Sequence, residues 1–181
     1  MYKVLVIIIA TVVMFTGSVV RAEDQSSLLL TNPEIEIIRA NCTSVQSTLN
    51  RINASDALAR VSLGQRYEII ATKLMAPLNS RIALNRLDNV ELTKTTAEFN
   101  ATLAEFRTAY QQYEQTMIRA IELSCKDRPV AFYDTIILAR NHRASVHELV
   151  VKLGVLMTQY GSQFDAFQDS VLENKKEPNN E

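Results

Sequence analysis

Glycine and proline are scarce in this sequence, four of each in 181 residues. A β-sheet protein of that length needs turn residues every ten or so positions, so the shortage excludes one and demands few, long elements. Four scattered glycines also cannot build a loop that cradles phosphate. Tryptophan is absent, and cysteine and histidine number two each. His142 and His147 lie five apart, on opposite sides of one helix, and cannot share a metal ion. A di-metal carboxylate bundle needs Glu three positions before each histidine, whereas Ala139 and Ala144 stand there. No C-x-x-C-H motif offers covalent haem attachment, which leaves His142 or His147 with a methionine as the one formal haem ligand set. No G-x-S-x-G elbow surrounds Ser162. The expectation is a non-enzyme without metal or cofactor. A formal charge of −1 with no basic cluster argues against a nucleic-acid partner.

Residues 1–22 read as an export signal. Lys3 precedes the apolar run Val4–Phe15, and Val20-Arg21-Ala22 supplies small residues before a cleavage point after Ala22. The rival is an uncleaved N-terminal anchor, since Val4–Val20 approaches the ~17-residue lower limit of a membrane span. Either way, the rest of the chain is expected outside the cytoplasm, touching membrane only through residues 1–22. Residues 23–31 read as a loose linker, 32–173 as a helical bundle domain, and 174–181 as a disordered, charged tail.

Within the domain, Leu92, Thr96, Phe99, Leu103, Phe106, Tyr110, Tyr113, Met117, Ala120 and Ser124 recur at alternating steps of four and three. That spacing aligns one apolar seam on a helix. Ile35, Ile38, Cys42, Val45, Leu49 and Ile52 form an earlier seam, resumed by Leu63, Tyr67, Ile70, Leu74 and Ile82. A third runs from Ile136 through Ala139, Arg143, Val146, Val150, Leu153, Met157, Tyr160, Phe164 and Phe167 to Val171. The expected fold is an all-α antiparallel bundle of three long helices. Asn32-Pro33-Glu34 begins the first, with Asn32 as its cap. Asp88 with Glu91 has the shape of a capping box for the second, and Asp127 suits the cap of the third. The eleven-residue step from Ile52 to Leu63 marks a stutter, so the first helix is expected to bend or break near Asn53–Asp56, which could make four helices. Pro77 adds a kink further along.

Counting outward from the first reversal, Cys125 faces residue ~51, about 13 Å of helix away from Cys42. A Cys42–Cys125 disulfide, favoured by export, therefore requires the first helix to bend, as at Asn53–Asp56; the alternative is a pair of free or intermolecular thiols. The same count brings Arg66, Tyr67 and Glu68 level with Tyr110 and Glu114, and near Arg140 and Arg143. Arg143 occupies the seam itself, where a buried guanidinium needs an acid, Glu114 or Glu68. Arg66, Glu68, Tyr110, Glu114, Arg140 and Arg143 thus form either a polar layer that fixes helix register or a ligand site. Asn41-Cys42-Thr43, Asn53-Ala54-Ser55 and Asn100-Ala101-Thr102 match the glycosylation acceptor, a short motif read here as chance.

With Asn41-Cys42, Ser55–Gln65, the run YEIIATKLMAPLN at Tyr67–Asn79, and Phe132-Tyr133 with Ala139-Arg140 in place, the chain resembles the small exported all-helical proteins of unknown function from candidate-phyla bacteria with reduced genomes. The resemblance covers most of the domain through its architecture. It implies a bacterial envelope or extracellular setting, and transfers no activity and no functional residues. The expected role is a non-enzymatic scaffold or protein-interaction module of the cell envelope. A protein partner or a second copy would sit on the overhanging seam Ile35–Ile52 if that seam is exposed. The alternative is a ligand-binding or sensing bundle centred on Arg143.

Overall fold

Thr31, not Asn32, caps the first helix. In the computed structural model, which describes residues 30–176 (the last three by backbone alone), its backbone N–H and hydroxyl both donate to Glu34 Oε2 at 2.7 Å. The hydrogen bond to the Thr31 N–H holds the Glu34 carboxyl below its ordinary pKa. Helix α1 then runs Asn32–Ile69, helical without interruption through Asn53–Asp56.

The irregularity lies farther on, in a π-helical segment, Ile70–Met75, followed by α2, Ala76–Leu84, with Pro77 in its first turn. The proline ring would collide with the carbonyl four residues back in a regular helix, and a π turn widens the ladder there. One consequence is a shift of the buried face. Ala71 and Met75 are buried while Leu74 is 53% exposed, so the expected seam positions Ile70 and Leu74 each give way to the next residue. The α1–π–α2 rod is thus a single bent first helix.

It ends in a reversal stabilised by Arg86 at φ 59°. Leu87 N–H donates to Ile82 O and Arg86 N–H to Ala83 O, the paired bonds that close a helix through a left-handed residue. Helix α3, Val90–Glu122, has Asn89 at its N-cap position with no side-chain cap bond. The expected box of Asp88 and Glu91 reduces to Asp88 Oδ1 accepting from Val90 N–H at 3.1 Å. After Glu122 the chain is extended at Leu123, and Ser124 and Asp127 bond to each other in the second turn. Asp127 is therefore a turn residue. Helix α4 starts at Pro129 and reaches Lys176, so the first three residues of the stretch expected to be disordered are helical. Residues 1–29, which include the signal and most of the linker, and 177–181 lie outside the described residues.

Among the described residues there is no strand. Helices α3 and α4 approach most closely, and the bent first helix lies against them more sparsely. The α3 seam is buried from Leu92 to Ala120. One core gathers Tyr67, Met75, Ile82, Phe99, Phe106, Leu153 and Tyr160 toward the α2–α3 reversal. A second gathers Cys42, Leu49, Tyr110, Tyr113, Met117, Cys125 and Phe132 at the far end. T-shaped contacts of Tyr67 with Phe99 and Phe106 hold the first together.

Cys42 and Cys125 stand at disulfide distance, Cα–Cα 5.5 Å, both buried. Two local features reduce the mismatch in the residue count: the π turn packs more residues into each unit of length, and the extended Leu123 covers more distance than a helical residue does. Around the bridge, Gln46 Nε2 donates to Ile121 O and Leu123 O, and Arg39 Nε donates to Lys126 O. The first satisfies carbonyls at the end of α3, and the second satisfies one in the turn that follows.

Ile35, Ile38, Val45 and Ile52 are half-buried, and Cys42 and Leu49 fully so. The stripe expected to seat a partner is covered by the chain's own second core. No helix among the described residues is long and apolar enough to cross a membrane.

Candidate functional site

The polar layer forms around Asp56, an acid at a seam position. Ile52, Asp56, Ala59 and Leu63 continue the four-three spacing of the first helix, so the apparent stutter is a polar residue standing where an apolar one was sought. Arg143, at the equivalent seam position of α4, grips Asp56 with two bonds, Nε to Oδ2 at 2.8 Å and a terminal nitrogen to Oδ1 at 3.0 Å. Tyr113, from the α3 seam, donates its hydroxyl to Asp56 Oδ2 at 2.6 Å. Three helices therefore meet at one carboxylate.

That geometry sets the local ionisation. The Arg143 hydrogen bonds hold Asp56 below its ordinary pKa, against the opposing effect of burial. Burial first, and then the bond to Asp56, pushes Tyr113 far above the usual phenol range. The bond to Asp56 raises Arg143 in turn.

Arg143 is not buried: its side chain is 59% exposed, while that of Asp56 is 17% exposed. Its partner is Asp56, and neither Glu114 nor Glu68 reaches it. Glu114 instead meets Arg60 at 3.4 Å, and Glu68 pairs with Arg107. The Arg60 guanidinium lies 4.7 Å over the Tyr110 ring. Arg66 is exposed and outside the layer. Tyr67, expected beside it, belongs to the first core. Of the six expected site residues, Tyr110, Arg140 and Arg143 line one groove, Glu114 meets its Arg60, and Glu68 lines an adjoining groove that shares Arg60, Phe106 and Tyr110; Arg66 lines neither.

The first groove, of about 510 Å³, lies between the first helix and α4 and is floored by α3. Asp56, Ala59, Arg60 and Leu63 form one wall, Arg140, Arg143, Ala144, Val146, His147 and Val150 the other, and Phe106, Tyr110 and Tyr113 the floor. It opens where the two cores adjoin, since Val146 packs against both. The volume lies within the ~300–1,000 Å³ of small-molecule sites.

Tyr110 is 3% exposed, and its hydroxyl has no hydrogen-bond partner among the described residues. Its pKa is raised, by burial and then by Glu114, so it is a protonated donor at neutral pH. Buried hydroxyls are nearly always paired, so this one, like that of Thr102, lacks the partner that burial usually brings. Among the described residues no ion pair engages Arg140, and no cluster of acids, histidines and cysteines has the spacing of a metal site.

A second polar network, unforeseen from the sequence, ties the opposite end. Asn79 donates to Thr96 Oγ1 at 2.8 Å and accepts from Tyr160 at 2.9 Å, and Asn89 donates to Asn79 O. Thr95 and Gln163 bond nearby at 2.8 Å. The signal was an Asn beside the Pro77 irregularity, where the seam phase had already changed. Comparison with protein families, with curated proteins and with solved structures gave no match.

Proposed function

We propose that this chain is an extracytoplasmic, non-enzymatic helical bundle that binds a small molecule in the groove between the first helix and α4. The observation that carries the reading is the buried, unpartnered Tyr110 hydroxyl in the lining of a largely apolar groove of about 510 Å³. The Cys42–Cys125 pair at disulfide distance is compatible with an oxidising compartment, and the export-type segment at residues 1–22 supports the same location.

The test uses N-phenylnaphthylamine, an uncharged dye that fluoresces when it leaves water. The protein should enhance its fluorescence saturably, at one dye per chain. Ala144→Trp, an exposed position on the groove wall, should fill the groove and abolish the enhancement without lowering the melting temperature. Failure to bind dye, or binding that ignores Ala144→Trp, contradicts the reading.

A scaffold or dimer role keeps one observation in its favour. Leu58, Val61 and Ile69 are 74%, 49% and 59% exposed on α1, an apolar line on the side of the helix away from the covered Ile35–Ile52 seam. Sedimentation equilibrium of Val61→Asp beside the unaltered chain tests it: a dimer that the substitution dissolves supports the role, and a monomer in both removes it.

A further inference from the structure

The groove is polar at one end and apolar at the other. Asp56, Tyr113 and Arg143 lie at one level of the bundle, with Arg140 about a turn beyond, and Leu63, Phe106, Val146 and Val150 lie on the other side. Along α4, Arg140 to Val150 covers about 15 Å. The lining charges are three arginines, Arg60, Arg140 and Arg143, against the single acid Asp56. Asp56 is neutralised by Arg143, and Arg60 by Glu114. Arg140 is the lining cation with no acid among the described residues, and His147 stands about two turns beyond it. An occupant matching this pattern carries one negative charge and an apolar tail.

We propose that the groove takes a single-chain amphipathic anion, its carboxylate at Arg140 and its chain lying toward Leu63, Phe106 and Val150. This rests on the small-molecule reading above and names the ligand class. A charge-assisted bond to an acyl carboxylate gives Arg140 its partner, and the tail covers apolar wall that water otherwise wets. The occupant is a free molecule, because a bilayer cannot place its acyl chains against a floor recessed between two helices.

Isothermal titration of the purified disulfide-bonded protein with dodecanoate, below its micellar concentration, tests the assignment against dodecanol, which keeps the chain and lacks the charge. Dodecanoate should bind one per chain, at least about tenfold tighter than dodecanol. Arg140→Ala should weaken dodecanoate about tenfold and leave dodecanol unchanged. Equal affinity for the two ligands, indifference to Arg140→Ala, or binding only to phosphatidylglycerol vesicles overturns the proposal. If N-phenylnaphthylamine still enters the groove in those cases, the ligand class alone is wrong. If the dye is also refused, the groove reading falls with it.

Discussion

Breaking the Cys42–Cys125 link should cost this bundle a large part of its stability. The two residues are separated by 83 positions, so the bridge closes most of the first helix, both irregular segments and all of α3 into one loop. The loop-entropy relation for that length gives about 4.5 kcal/mol at 25 °C. For a domain of this size, that corresponds to a melting temperature lower by roughly 9–18 °C. The figure is a ceiling, because unfolded chains keep some compactness and the Gln46 and Arg39 bonds around the bridge survive reduction. Urea unfolding followed by circular dichroism, with and without reductant, measures it directly. Reduction is the cleaner perturbation, since Cys→Ala at two buried positions adds a cavity cost of its own. The reduced protein should show a lower midpoint and a steeper denaturant dependence, as its unfolded state expands. A midpoint that moves by less than about 1 kcal/mol, or native protein whose mass reveals two free thiols, would refute the reasoning.

Other expectations follow from the polar layer, the Asn79 network and the buried phenols. Arg143→Leu and Arg143→Lys should each lower stability by about 1 kcal/mol in thermal melts, because the pair is partly solvent-screened and lysine lacks the two-pronged grip; an unchanged or raised melting temperature with leucine would show that the layer is not needed for folding. Asn79→Ala takes one bond from Thr96, which keeps Leu92 O, and one from Tyr160, which keeps Met75 O, and should cost about 2 kcal/mol, against about 1 kcal/mol for Tyr160→Phe; equal losses would mean the network is not shared. Asp56 is held below its ordinary pKa, so its contribution is present at neutral pH and is lost as pH falls below about 4. Tyr67, Tyr110, Tyr113 and Tyr160 are all raised, so the unfolded state ionises first and stability should fall as pH climbs past about 10. Melting temperatures measured across both limits check the two signs together.

The α3 seam was legible because it carries no exceptions: every position from Leu92 to Ala120 is apolar or threonine, and all are buried. The first helix was harder, for two local reasons. An acid at Asp56 interrupts the apolar count without interrupting the helix, and its meaning depends on Arg143 and Tyr113, which are distant in sequence. The π segment before Pro77 inserts a phase shift that a fixed three-four rule cannot follow, moving burial from Leu74 to Met75. Arg140 and Tyr110 were identifiable from their level in the bundle. Arg66 was misplaced because the count assumed one straight rod and so set it level with Tyr110 and Glu114, where Arg60 stands. His147 and Arg60 became site residues only once the two walls of the groove stood side by side.

Amide chemical-shift mapping during titration with N-phenylnaphthylamine tests the central claim most directly. Shifts should concentrate on Asp56–Leu63, Phe106–Tyr113 and Arg140–Val150, and leave Cys42, Cys125 and the Asn79 region unmoved. Shifts centred on Leu58, Val61 and Ile69 alone, or no shifts at all, would contradict it.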